Sequence, residues 1–265
     1  LRTDRLEMGQ WLSGRIYPER CGLSPNGELL VYFCGKFRGE VPTFTAICRP
    51  PYFTALALWP GFGTWGGGGF FPSDREVVLN TPAAEGPLDP QALAPGLTVS
   101  HRAPREDEVA WPLIEKGSAS SPISHSRAER GELRYRYRKP WRYARRCPDL
   151  AVEATLERVM RGYGMVDGPF HPEEYHLRIG GAEASEVELG PLDWADWGAD
   201  GSLLLSHGGR VGRLRLAPEQ MRKAREPKRK ARRVEPKWVA DLCDQRFENI
   251  PPSPSAKQWP GYLRA

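Results

Sequence analysis

The chain has 265 residues, a formal net charge of +5 and 40% hydrophobic residues, a composition that excludes a wholly disordered protein. No stretch approaches the roughly 18 apolar residues of a transmembrane helix, so we expect no contact with a membrane. Glycine and proline together make up about a fifth of the chain, which is typical of many strands joined by tight turns.

The first predicted element is a turn followed by an apolar strand, within the phrase SPNGELLVYF. Asn26-Gly27 is a strong turn pair because both residues tolerate a positive φ. The run 29–34 is apolar without strict alternation, which predicts a strand covered on both faces. Two further strands are predicted at 43–50 and 52–60, each ending at a proline.

The glycine-rich segment WGGGG at 65–69 suggests a phosphate-binding loop at first sight. Such a loop needs a following Gly-Lys-Ser/Thr or a helix, whereas Phe70, Phe71 and Pro72 follow here. The pattern favours a tightly packed strand in which only small side chains fit, and a loop that approaches a ligand stays the alternative. With the nearby and later tryptophans, the candidate ligand-binding residues are Trp59, Trp65, Gly67, Gly68, Trp194 and Trp197.

Residues 81–122 are rich in proline and poorly periodic, so we expect a long loop or insertion with one strand at 96–102. Residues 149–162, DLAVEATLERVMRG, have the apolar spacing of a helix, with a strand as the alternative. The phrase EYHLRI predicts a further strand at 174–179.

Residues 193–216 predict a three-stranded meander, because an Asp-Gly turn and a Gly-Gly turn separate three apolar runs. Since Trp194 and Trp197 are three residues apart, a strand places them on opposite faces. Short helices are expected after residue 217 and at 240–247, before a proline-rich end.

Three turn-plus-strand phrases begin near residues 24, 72 and 198. Repeats at 40- to 50-residue spacing are typical of β-propellers. LSPNGELLVYF and WADWGADGSLLLSHGGRVGRLRL resemble the blade repeat of TolB-like and WD-repeat β-propellers, closely over 193–216 and loosely over 21–80. The resemblance implies a binding scaffold with a central channel, and it specifies neither ligand nor activity.

We therefore expect an all-β, mainly antiparallel fold, in the form of a propeller-like array of β-meanders. This domain is expected to span residues 1–217. Residues 218–265 are expected to form a basic, proline-rich extension that is irregular or partly helical.

Two basic segments stand out against a body that is otherwise mildly acidic. Residues 134–146 hold seven basic and no acidic side chains, and residues 222–237 hold nine basic and two acidic ones. Basic side chains beside aromatic rings are typical of nucleic-acid binding, whereas solvated arginines above buried tyrosines would be purely structural. The candidate nucleic-acid-binding residues are Arg134, Arg136, Arg138, Trp141, Arg142, Lys228, Arg229, Lys230, Arg232 and Arg233.

Catalytic and metal motifs are weak in this sequence. In HPEEYH, His171 and His176 diverge on a helix and face opposite ways on a strand, so we expect no metal site. No cofactor motif is present, and we expect none. A hydrolase remains a lesser alternative, for which Ser206, His207 and Asp196 are the nearest candidate group.

Five widely spaced cysteines without a Cys-x-x-Cys motif predict reduced thiols and a cytoplasmic location. The favoured function is a non-catalytic binding scaffold for a protein or peptide partner. Nucleic-acid binding through the two basic segments is the main alternative.

Overall fold

The structure, a computed structural model, describes residues 7–81, 86–102, 111–118, 120–122, 129–149, 152–166, 172–180, 185–216 and 232–264. These residues divide into two compact units. The discontinuous unit combines the described residues from 7 to 102 with residues 246–264, and the inserted unit comprises those from 111 to 245. This division differs from the expected one, which separates residues 1–217 from residues 218–265.

The discontinuous unit contains two β-sheets. Its eight strands are β1 (Arg15–Ile16), β2 (Gly22–Leu23), β3 (Leu30–Gly35), β4 (Thr43–Cys48), β5 (Ala55–Gly61), β6 (Gly69–Ser73), β7 (Glu76–Leu79) and β8 (Thr98–Ser100). The first sheet has the order β1-β3-β4-β5, with β2 also paired to β3, and the second has the order β6-β7-β8. All these strand pairs are antiparallel except β7–β8.

The predicted strands at 29–34, 43–50 and 52–60 are confirmed as β3, β4 and β5. Every residue of β4 is buried, because apolar clusters cover both faces of its sheet. The expectation of a strand covered on both faces is therefore confirmed for β3 as well, since only its first residue is partly exposed. Leu263, near the end of the chain, is fully buried in one of these clusters.

The inserted unit also contains two β-sheets. Its eleven strands are β9 (Leu113–Glu115), β10 (Ser120–Pro122), β11 (Leu133–Arg146), β12 (Ala154–Met165), β13 (Glu174–Ile179), β14 (Ser185–Glu188), β15 (Trp194–Trp197), β16 (Leu203–His207), β17 (Arg210–Leu214), β18 (Arg232–Arg233) and β19 (Lys237–Asp241). The larger sheet has the order β10-β11-β12-β13-β14-β18, with β9 also paired to β11, and the smaller has the order β15-β16-β17-β19. The one parallel pair here is β14–β18.

The core of the inserted unit lies between the inner faces of these two sheets. It contains Leu156 and Leu177 from the larger sheet and Leu203 and Leu205 from the smaller one, all fully buried. The predicted meander at 193–216 is confirmed as β15, β16 and β17. The strand predicted at 174–179 is confirmed as β13.

Two helix predictions in this unit are wrong. The segment 149–162 contributes to strand β12, whose pairing with β11 and β13 outweighs its helical apolar spacing. The segment 240–247 contains the end of β19 and then irregular chain, because β19 pairs with β17 and completes the smaller sheet.

Helical structure among the described residues is limited to single turns of 3-10 helix. These turns are Pro18–Arg20, Pro90–Ala92, Ser255–Lys257 and Gly261–Leu263. In its described part, the extension 218–265 therefore contains single 3-10 turns, and none of its helices is longer than one turn. Within the described ranges, no helix has the length and apolar character needed to cross a membrane.

The three repeated phrases do form the same local structure. Side-chain oxygens of Asn26, Ser73 and Asp200 each accept a hydrogen bond from the backbone N–H two residues ahead, at 2.9, 3.3 and 3.2 Å. Such turns connect β2 to β3, β6 to β7 and β15 to β16. The turn-plus-strand predictions are confirmed.

The expected propeller ring is not present among the described residues, whose strands form four separate open sheets. A propeller blade is a four-stranded antiparallel meander. The sheet β15-β16-β17-β19 has the four antiparallel strands of a blade, and the first sheet is antiparallel with five strands. In contrast, β11 and β12 are 14 and 12 residues long and belong to a much larger sheet. The coarse prediction, a mainly antiparallel β fold, is confirmed.

Candidate functional site

Three exposed aromatic rings lie at one end of the first sheet of the discontinuous unit, and we call them the aromatic tip. Phe37, Phe62 and Trp65 are 59%, 82% and 100% exposed. Thr43, the first residue of β4, pairs with the last residues of both β3 and β5. The loops that carry the three rings therefore leave the sheet at the same end.

The loop that carries Trp65 is fixed by one arginine. A guanidinium nitrogen of Arg20 donates hydrogen bonds to the carbonyl oxygens of Thr64 and Gly66, at 2.7 and 2.8 Å. The guanidinium carbon lies 5.3 Å from the ring centre of Tyr17 and 5.1 Å from that of Phe33. Because these rings hold the guanidinium in place, the backbone on both sides of Trp65 is anchored.

Gly67 and Gly68 explain why the loop is rich in glycine. Both have positive φ, and a Cβ on either would come within 2.2 Å of Phe33 or of the Arg20 carbonyl oxygen. Their N–H groups donate to the Asn80 carbonyl oxygen at 2.6 Å and to the Thr45 hydroxyl at 2.7 Å. Both glycines are buried, so their amides are engaged in packing the loop and do not form a phosphate cradle.

The four candidate tryptophans belong to two units and differ in exposure. Trp59 is buried in the core of the discontinuous unit. Trp197 is buried in the inserted unit, and its indole N–H donates to the Arg145 carbonyl oxygen at 2.9 Å. Trp194 is 41% exposed, which agrees with the expectation that Trp194 and Trp197 face opposite sides. Only Trp65 is presented completely to solvent.

The basic segment 134–146 coincides with strand β11. Arg134, Arg136 and Arg138 are exposed and alternate with partly buried tyrosines. The ring of Tyr135 stacks on Tyr163 of β12, with ring centres 4.6 Å apart. Tyr135 and Tyr137 therefore both contact Tyr163 of the neighbouring strand β12.

The second half of β11 is neutralised by acidic side chains. Arg142 contacts Glu115 at 3.1 Å and the buried Glu157 at 3.2 Å. Lys139 contacts Glu115 at 3.0 Å. Trp141 lies in a T-shaped contact with Tyr137, at 6.5 Å between ring centres. Arg142 and Trp141, both predicted to bind nucleic acid, are thus engaged in contacts within the unit.

The other predicted basic segment is only partly described. Lys228, Arg229 and Lys230 lie outside the described residues. Arg232 and Arg233 form strand β18, at the edge of the larger sheet opposite to β10 and β11. Of the second segment, Arg232 and Arg233 therefore lie in the same sheet as β11 but at the edge far from it.

Sequence reasoning missed a polar cluster within the inserted unit. A guanidinium nitrogen of Arg145 lies 2.6 and 2.7 Å from the two carboxylate oxygens of Asp196. Burial raises the pKa of the Asp196 carboxyl, and the Arg145 guanidinium offsets part of that shift. Arg158 lies between the rings of Trp111 and Tyr143, at 4.9 and 4.7 Å. No local spacing reveals this cluster, because its members come from separate strands.

The other predicted chemical groups are placed apart or in ion pairs. His176 lies 2.9 Å from a carboxylate oxygen of Glu186, and His171 lies outside the described residues. Ser206 and His207 are consecutive in β16 and so face opposite sides, while Asp196 pairs with Arg145. In the described part of the chain, no group of three or more histidine, cysteine or acidic side chains is arranged to hold a metal.

Comparison with known proteins finds no relative of this chain. No family model, curated protein or solved structure matches the chain, so the resemblance to TolB-like and WD-repeat propellers stays a prediction.

Proposed function

We propose that the chain is a non-catalytic binding scaffold for a protein or peptide partner, and that the aromatic tip is its contact surface. The observation that carries the proposal is Trp65, a fully exposed indole on a backbone that Arg20 clamps on both sides. Phe37, Phe62 and Trp65 are all exposed at the same end of one sheet, and exposed apolar groups that form a patch are typical of an interaction surface.

The energetics of interfaces support this role. Tryptophan is enriched among the few residues that dominate binding energy, and its truncation in such positions costs about 2 kcal/mol or more. Anchoring the loop before binding reduces the conformational entropy that association would otherwise cost. Phe62 and Phe37 at the same end of the sheet extend the apolar surface around Trp65.

The inserted unit supports a binding role over a catalytic one. Its partly buried charges form pairs with one another, as Arg145 does with Asp196 and Arg142 with Glu157. A reducing, cytoplasmic location is part of the proposal. It is supported by five unpaired cysteines, of which Cys34, Cys48 and Cys147 are buried.

Selection from a random peptide library tests the proposal. The wild-type chain serves as bait, and the affinity of each selected peptide is then measured for a Trp65→Ser variant. We expect the selected peptides to bind that variant about 30-fold more weakly, which corresponds to a loss of about 2 kcal/mol. Because the Trp65 side chain contacts solvent only, the substitution leaves the fold intact.

Trp194→Ser is the matched control, since it removes another exposed indole from the inserted unit. Peptides that bind the Trp65→Ser and Trp194→Ser variants as tightly as the wild type would rule out the aromatic tip as the contact surface. Failure to select any peptide would count against a peptide-binding scaffold.

A further inference from the structure

The first half of strand β11 presents a row of arginines that form no ion pair with any described residue. Arg134, Arg136 and Arg138 are exposed, and none of the three is ion-paired among the described residues. Alternate residues of a strand share a face and lie roughly 7 Å apart, so the three guanidiniums follow one line. One carboxylate oxygen of the preceding Glu132 accepts a hydrogen bond from the N–H of Glu129, at 3.0 Å.

The same strand shows that this lack of pairing is local. From Lys139 onward, three of its basic side chains contact Glu115, Glu157 or Asp196 within 3.2 Å. Acidic side chains of the unit thus neutralise much of the second half of the strand and leave the first half charged. Three adjacent cations without counter-ions repel one another, which a bound polyanion would relieve.

The neighbouring strand leaves the arginine row open to a long ligand. Arg136 pairs with Gly162 of β12, and a Cβ on Gly164 would lie 3.3 Å from the Cβ of Arg134. Glycines at both positions place no side chain beside the arginines on that strand. On the β12 side, Arg134 and Arg136 therefore border bare backbone, against which an extended chain can lie.

We propose that this arginine row binds single-stranded nucleic acid through its phosphate backbone, a function independent of the aromatic tip. Planar guanidiniums bind phosphate oxygens in a bidentate manner. A single row of three cations follows one backbone, whereas a duplex presents two. The tyrosines lie on the opposite face of β11, where Tyr135 stacks on Tyr163, so bases do not stack on them and binding has little sequence preference.

The test is equilibrium binding of a fluorescein-labelled oligothymidylate of about 16 nucleotides, measured by anisotropy at about 50 and 200 mM salt. Each phosphate contact to a single strand contributes about −0.7 to the slope of log affinity against log salt. Three contacts give a slope of about −2, so the wild type loses about 20-fold in affinity between the two salt concentrations. The triple variant Arg134→Ser, Arg136→Ser, Arg138→Ser is expected to lose that salt dependence and most of the binding.

The matched control removes three positive charges elsewhere, through Arg38→Ser, Arg215→Ser and Lys257→Ser. These side chains are exposed, and the control has the same net charge as the triple arginine variant. It is expected to bind the oligonucleotide nearly as tightly as the wild type, with the same salt slope.

Several results would overturn the proposal. Equal weakening in both triple variants would show a non-specific effect of net charge, and no binding by the wild type at low salt would exclude the site. Binding lost only when Lys228, Arg229 and Lys230 are changed to serine would place the contact in the other basic segment. Tighter binding of polyglutamate than of the oligonucleotide would indicate an acidic protein, and tighter binding of duplex would exclude the single strand.

Discussion

The Arg20→Met variant removes the guanidinium that clamps the Trp65 loop and keeps an unbranched side chain of similar length. Arg20 makes two hydrogen bonds to loop carbonyl oxygens, each worth about 1–1.5 kcal/mol net. Their loss lowers the free energy of opening the loop by about 2–3 kcal/mol. We therefore expect amide exchange at Gly67 and Gly68 to accelerate about 30- to 150-fold.

Native-state hydrogen exchange, followed by NMR, measures this effect. The two amides are suitable probes because each donates a short hydrogen bond in the closed loop. Arg38→Met is the matched control, since the Arg38 side chain is exposed and donates only to the Ser13 hydroxyl, at 3.2 Å. If the Gly67 and Gly68 amides of Arg20→Met exchange as slowly as in the wild type, other contacts keep the loop closed and the Arg20 hydrogen bonds are not required.

Three further predictions concern the cores and the exposed thiol. Glu157→Gln removes a buried carboxylate that accepts hydrogen bonds from two partly exposed arginines. We therefore expect the free energy of unfolding, measured by urea denaturation, to fall by about 2 kcal/mol. Glu174→Gln removes one partner of an exposed ion pair and is expected to lower the free energy of unfolding by less than about 1 kcal/mol. Equal losses in the Glu157→Gln and Glu174→Gln variants would contradict this expectation. The Asp241 carboxylate raises the pKa of the Cys243 thiol, so we expect Asp241→Asn to lower that pKa and to increase the thiolate fraction. The variant's thiol should then be alkylated faster than the wild-type thiol near pH 8, and an unchanged alkylation rate would refute this. Leu263→Ala truncates a fully buried side chain and is expected to cost about 2–5 kcal/mol, so a loss below about 1 kcal/mol in the same denaturation assay would contradict its core position.

The turns were the most predictable part of the fold. Asn26-Gly27 and Asp200-Gly201 have local conformational preferences strong enough to determine a turn without tertiary help, and both glycines have a φ of +74°. The strands after them were predictable because a short apolar run next to a turn has few other structures open to it. A regular spacing of such turns does not determine how many strands join each sheet, so the ring was not predictable.

Strand β12 shows where local sequence fails. The run LERVMR has residues that favour a helix, and its apolar spacing fits a helical face. In the structure the same run pairs on both sides over a long register, from Thr155 to Val159. Partners that are distant in sequence supply this pairing, and no window of the sequence contains them.

The candidate site was predictable in part. Alternation along a strand gave the opposite exposures of Trp194 and Trp197, and the run of glycines indicated close packing at Gly67 and Gly68. The Arg20 clamp was not predictable, because 44 and 46 residues separate the arginine from the two carbonyls that it contacts. Only the folded sheet brings that side chain against the loop.

The discontinuous unit has a consequence for the order of events during synthesis on the ribosome. Its closing segment, 246–264, is translated only after the whole inserted unit, which at about 5–20 residues per second takes roughly 7–27 s. At the end of that interval the inserted unit has all of its described strands, whereas the sheets that precede it in the chain still lack the side chain of Leu263. The nascent chain therefore completes its later-made unit first, and the apolar surface awaiting Leu263 is the part that chaperones would have to protect.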